Sequence, residues 1–207
     1  MRKPKIGLLA LQGAFHAHGE VLRRLGAEVV EVRLPEELDG VEGLVIPGGE
    51  STTLLHLFED YRFEEPLRKF VADGGYVFGT CMGMILLAKE VTGPAQRSLG
   101  LLDVSVERNA YGRQVDSFEA EGNIRGEPFP MVFIRAPRIT RAGAGVEVIG
   151  TWNGDPVFVR QGKILAATFH PELTGDPAVH RLFLDLLTNG RRVDCPPPRP
   201  TGKHCRP

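Results

Sequence analysis

The segment Gly79-Thr80-Cys81-Met82-Gly83 sets one cysteine between glycines, where an apolar run gives way to a helical pattern. Small neighbours permit the sharp turn of a nucleophile elbow, which lifts the reactive side chain above the carboxyl ends of a sheet. A thiol so placed lies at a helix N-terminus, where the helix dipole and free backbone N–H groups favour the thiolate. The N–H of Met82 is next in line to bind a developing oxyanion. A thiolate nucleophile calls for a base, and the chain has six histidines. His16, His18, His56 and His180 fall on predicted helices and His204 in a C-terminal tail, where solvated surface is the expected environment. His170 differs, because it ends a strand predicted over 164–169 and precedes Pro171 and Glu172. In an extended segment residues two apart project to the same side. Glu172 can therefore accept a bond from the imidazole, fix its tautomer and leave the other nitrogen to the nucleophile. The third piece is Pro47-Gly48-Gly49-Glu50-Ser51-Thr52, where a glycine pair before a helix start lets backbone N–H groups approach an anion. Each piece also has a plainer reading: a small buried hydrophobe, a strand end with a helix cap, and a turn.

The elements that must position these residues follow from periodicity. Apolar runs over 5–10, 29–32, 43–46 and 75–78 alternate with helical patterns over the first 90 residues, the mark of βαβ units and a parallel sheet. The first helix carries Val21, Leu22 and Leu25 and stops at Gly26. The second is capped by Ser51 or Thr52, with Leu54, Leu55, Leu57 and Phe58 inward. Helices are also predicted over 63–71, 84–89 and 177–187. Strands predicted over 103–108, 115–119, 131–135, 146–152, 156–160 and 164–169 are close together and separated by Gly, Pro and Asn, which favours hairpins and antiparallel additions to the sheet.

The 207 residues suffice for one domain with a core of its own. A net charge of −1 with 25% charged residues argues for neither a nucleic-acid nor a membrane partner. The three cysteines, two of them Cys195 and Cys205 in the tail, build no disulfide framework and have no zinc spacing, so a reducing, cytoplasmic setting and no metal are expected. Residues 1–190 read as the domain. Residues 191–207, with five basic side chains against Asp194 and five of the 16 prolines, read as a disordered tail.

The order Gly48-Gly49, Cys81, His170, Glu172 resembles a class I (triad) glutamine amidotransferase. Within that group, residues 1 to about 188 resemble the glutaminase subunits of pyridoxal 5′-phosphate synthases. The likeness rests on the blocks Leu9-Ala10-Leu11-Gln12-Gly13-Ala14-Phe15, Pro47 to Thr53, Gly79-Thr80-Cys81, Glu107-Arg108-Asn109, Gly112 to Glu119, Phe133-Ile134-Arg135-Ala136-Pro137 and Phe169-His170-Pro171-Glu172-Leu173. It implies a flavodoxin-like three-layer α/β sandwich, with a mainly parallel central sheet and antiparallel additions in the C-terminal half. It further implies Cys81, His170 and Glu172 as the triad, an oxyanion hole near Gly48 and Met82, and glutamine bound by Gly48, Gly49, Glu50, Arg108, Ile134 and Arg135. The Gln12-Gly13 turn is implied as an activation switch, no cofactor is needed, and ammonia passes to a separate synthase subunit that makes pyridoxal 5′-phosphate. Met82 and Ala17 depart from the usual alanine and glutamate. Two rivals share the fold: a glutaminase serving another synthase, such as that of imidazole glycerol phosphate, and a non-catalytic binding protein. The 112–119 and 133–137 blocks oppose the first; His170 and Glu172 at the required spacing oppose the second.

Overall fold

The computed structural model describes residues 3–110 and 117–189. The reading of 191–207 as a disordered tail, with Cys195, His204 and Cys205, and residues 112–116 of one similarity block lie outside the described residues. Strands β1 (Lys5–Leu9), β2 (Glu28–Val32), β3 (Gly43–Ile46) and β4 (Tyr76–Thr80) alternate with helices α1 (Phe15–Arg24), α2 (Ser51–Asp60) and α3 (Glu64–Ala72). The chain continues through α4 (Met82–Leu87), β5 (Ala88–Thr92), β6 (Leu102–Glu107), β7 (Ser117–Ile124), β8 (Glu127–Ile134) and β9 (Arg138–Ala142). It ends with β10 (Glu147–Trp152), β11 (Asp155–Gln161), β12 (Ile164–Ala167) and α5 (Ala178–Asn189).

The main sheet has nine strands in the order β2-β1-β3-β4-β12-β11-β10-β7-β8. Pairing is parallel from β2 through β12 and antiparallel from there to β8, as the change of spacing at mid-chain predicts. Two features depart from expectation. The 103–108 strand does not join this sheet: β6 forms a separate three-stranded sheet between β5 and β9. Both of its partners escaped the periodicity. Residues 88–92 follow α4 with no turn residue between, and Arg138–Ala142 is mostly exposed and polar. Helix α2 is capped by Glu50 rather than by Ser51 or Thr52; its carboxylate accepts the N–H groups of Thr52 and Thr53 at 3.1 and 2.7 Å.

Successive strand residues divide the core in two, as period-2 geometry requires. Leu9, Leu44, Ile46 and Val77 face one apolar cluster with α2, α3, α4 and the small sheet; Ile6, Leu8, Val45 and Phe78 face the other, with α1 and α5. Each fully buried side chain of this size contributes ~1.5–3 kcal/mol. The register holds β3, β4 and β12 level, with Ile46 opposite Gly79 and Ala167 opposite Thr80, so the loops after them emerge side by side. The antiparallel half curls back far enough that the last strand, β8, meets the β12 loop: the His170 N–H donates to the Val132 carbonyl at 2.8 Å.

Candidate active site

The loops leaving β1, β3, β4 and β12 converge on a cleft of about 300 Å³, at the carboxyl ends of the strands where open α/β sheets carry their sites. Cys81 closes β4. Its backbone has φ 47° and ψ −102°, a left-handed conformation that an L-residue enters at a cost of order 1–3 kcal/mol. Neighbours hold it there: the Cys81 N–H donates to the Ala167 carbonyl at 2.8 Å, its carbonyl accepts from Ile85, and its Sγ–H points to the Ile134 carbonyl at 3.6 Å. Gly83 is needed for α4 to lie so close to β3, since a Cβ there would stand 2.2 Å from the Ile46 carbonyl oxygen.

His170 and Glu172 pair as expected, with Nδ1–H donating to Oε1 at 2.8 Å, but the backbone differs from the extended one predicted. β12 ends at Ala167, His170 has φ −106° and ψ 86°, and Pro171–Leu173 is a 3-10 turn. Proline in the first turn pre-sets φ for this conformation, and the turn, not strand alternation, brings the carboxylate beneath the imidazole. Burial opposes charge on His170, but the bonds to Cys81 and Glu172 outweigh it and lift the imidazole to about 10. Burial likewise opposes charge on Glu172; His18 and the bond to His170 prevail and hold the carboxyl below its usual range.

Of the residues singled out from sequence, Gly13, Gly48, Gly49, Glu50, Cys81, Met82, Arg108, Ile134, Arg135 and His170 line the cleft. Gln12 and Glu172 stand behind it. The Gln12 side chain clasps the Glu50 backbone, donating to its carbonyl at 3.0 Å and accepting from its N–H at 3.2 Å. Glu50 is doubly engaged. Desolvation pushes its carboxyl up, but the Thr53 and Thr52 N–H groups bring it down to about 2, and Arg108 lies 4.0 Å away. The cleft thus sets two arginines and a carboxylate around one cysteine.

Two histidines overturn the surface expectation. His18 and His180 are fully buried behind Glu172, whereas His16 and His56 are exposed. His18 falls on the apolar stripe of Val21, Leu22 and Leu25, and His180 on that of Phe183 and Leu187, so helical spacing was the available signal for both. Ala14, Ser51, Ile85 and Asn109 also line the cleft, although no part in binding or catalysis was expected of these four side chains.

Compared with known proteins, residues 8–189 match the SNO glutamine amidotransferase family. A Koribacter versatilis protein named pyridoxal 5′-phosphate synthase subunit PdxT is 60% identical over 188 residues, covering 90% of this chain and 97% of its own length. A PdxT protein of Thermotoga neapolitana is 52% identical over 186 residues, covering 88% and 99%. A crystal structure described as a glutamine amidotransferase superposes with a TM-score of 0.83 at 53% identity, covering 88% of this chain and 98% of that one. The Thermotoga maritima PurLQS structure shares the fold, with a TM-score of 0.71 at 18% identity, covering 90% of this chain and all of that one. With its glycine-cradled cysteine, paired histidine and glutamate, and these relatives, the chain belongs to the SNO glutamine amidotransferase family.

Proposed function

We propose that this protein is the glutaminase subunit of a pyridoxal 5′-phosphate synthase, releasing ammonia from L-glutamine and passing it to a synthase subunit. The observation that carries this reading is Cys81, held in a left-handed turn against a His170 that is hydrogen-bonded to Glu172, at the end of a cleft lined by Arg108 and Arg135. In the proposed mechanism the thiol proton is held on His170 and the Cys81 sulfur attacks the side-chain amide carbon of glutamine. The oxyanion of the tetrahedral intermediate rests on backbone N–H groups of Gly48 and Met82. Collapse breaks the C–N bond as His170 returns a proton to the departing ammonia, leaving a glutamyl thioester. Water, deprotonated by the same imidazole, then releases glutamate and restores the thiol. Glu172 orients His170 and stabilises its charge throughout.

An arginine suits the substrate's α-carboxylate and Glu50 its α-ammonium; Gly48, Gly49 and Ile134 complete the substrate wall. Gly13 supports the switch role of the Gln12-Gly13 turn: its φ is +92°, and the Ala14 N–H donates to the Gly48 carbonyl at 3.1 Å. A peptide rotation there reaches the oxyanion loop directly. The catalytic domain is assigned to residues 1–190, with 191–207 an appendage. A cytoplasmic setting is assigned because the nucleophile must stay a free thiol.

The test is glutamate formation with and without a pyridoxal 5′-phosphate synthase subunit, for the wild type and Cys81→Ala. Low activity alone, strong stimulation by the synthase and none in the variant are expected. Activity retained in Cys81→Ala refutes the mechanism; indifference to the synthase refutes the partner.

A further inference from the structure

Glu172 is a buried carboxylate: Oε1 accepts from His170, while Oε2 has no formed hydrogen bond among the described residues. Oε2 lies 3.2 Å from the His18 Nε2, with both side chains fully buried. The same nitrogen lies 3.2 Å from Thr80 Oγ1, and on the far side of the ring Nδ1 lies 2.9 Å from His180 Nε2. These contacts fix where the protons are. A carboxylate only accepts, so a bare His18 Nε2 would set two lone pairs against each other in an apolar interior. The hydrogen is therefore on Nε2, bonded to Thr80 Oγ1 with Glu172 Oε2 at the same distance. His18 Nδ1 is then an acceptor, and His180 Nε2–H must be its donor. That leaves His180 Nδ1 unprotonated, in agreement with its being buried with no partner.

We propose that His18, kept in one tautomer by His180, is a positioning residue that supplies the second oxygen of Glu172 with its donor and so keeps the carboxylate aimed at His170. The inference rests on the Cys81, His170 and Glu172 assignment. Burial opposes charge on both histidines, lowering His18 and bringing His180 to about 3, so each offers an N–H in a fixed tautomer. The charged or titratable groups that act on this pair are Glu172 and His170 on His18, and Glu172 and Arg24 on His180. Phe78 holds the geometry, meeting both imidazole rings edge-on at 6.0 and 5.9 Å. Thr80 precedes the nucleophile, so the network ties Cys81's own strand to the far side of its base.

The experiment compares wild type, Cys81→Ala, His18→Leu, His18→Gln and His180→Phe, each with the synthase present. It reads kcat and KM for glutamine, melting temperature, and the pH profile of Cys81 alkylation by iodoacetamide. Loss of a hydrogen bond to a buried charged group shifts an equilibrium by roughly 10- to 100-fold. His18→Leu should lose that factor in kcat, with KM within about twofold, and the acid limb of alkylation should move to higher pH. His18→Gln, whose amide nitrogen can reach the imidazole Nε2 position, should recover to within about threefold of wild type. His180→Phe releases the tautomer without touching Glu172 and should lower kcat several-fold with the same change of limb. A folded His18→Leu with wild-type kcat and profile overturns the proposal, as does His18→Gln no better than His18→Leu. Should His18→Leu fail to fold, a wild-type profile in His180→Phe overturns it. A wild type without glutaminase activity, or an active Cys81→Ala, strikes the proposed function instead, and the alkylation profile still reports on the network.

Discussion

Gly48→Ala would drive a methyl group into the His170 imidazole. A Cβ at Gly48 would lie 2.2 Å from His170 Cε1, 3.0 Å from Nδ1 and 3.2 Å from Nε2. Ordinary contact begins near 3.4 Å, so the imidazole must retreat by about 1.2 Å. It has little room to do so, because Nδ1 is held by Glu172 at 2.8 Å and the residue's backbone N–H by Val132. A displacement of about 1 Å at a reacting group costs on the order of 10²-fold in rate. The added methyl also overpacks a tight junction, for ~1–3 kcal/mol, which in a chain of this length lowers the melting temperature by roughly 2–10 °C. The assay is glutamate formation at saturating glutamine with the synthase present, beside a thermal melt of each chain. Gly145→Ala, whose Cβ would meet nothing closer than Gln161 Nε2 at 3.7 Å, is the control and should match wild type. A folded Gly48→Ala with kcat within threefold of wild type refutes the claim that this loop is built against the base.

Three predictions concern pH. The imidazole of His170 is raised from 6.5 to about 10 on folding, so its contribution to stability is complete below pH 6.5 and fades as pH climbs through 10. The melting-temperature gap between wild type and His170→Ala should narrow over that interval; a gap that widens contradicts the assignment. In Glu172→Gln the His170 proton should leave at lower pH, as followed by imidazole NMR. Glu50 moves the other way, from 4.5 to about 2: its cap on α2 is fully present above pH 4.5 and lost toward pH 2. Glu50→Ala should cost about 1 kcal/mol at neutral pH, less in high salt because the carboxylate is half-exposed, and the difference should shrink on acidification.

The parallel half of the sheet was legible because strands buried on both faces leave continuous apolar runs, as in Leu44-Val45-Ile46, which ends at Pro47-Gly48-Gly49. The proposed triad drew attention for a related reason, since Cys81 and His170 sit on loops where such runs stop. What escaped depends on partners distant in sequence. Arg138–Ala142 is a strand because β6 lies beside it, with Val104 opposite Ala142, and nothing in its own composition says so. Glu50 caps α2 although Ser51 and Thr52 are better formers of caps in isolation, because the helix starts one residue earlier than propensity suggests. His18 and His180 were read as surface since histidine usually is; their apolar neighbours at helical spacing said otherwise.

The last strand of the large sheet has a consequence for how this chain keeps company. An unpaired sheet margin presents free N–H and C=O groups on which a foreign strand can add. β8 presents few. Pro128 and Pro130 have no N–H to offer, the Val132 carbonyl is engaged by His170, and the Ile134 carbonyl faces the Cys81 thiol. One half of the margin is closed by imino acids and the other by Cys81 and His170. Strand-on-strand aggregation is therefore blocked along the stretch that borders the chemistry, and a visiting segment that paired there would have to dislodge the residues it came to use.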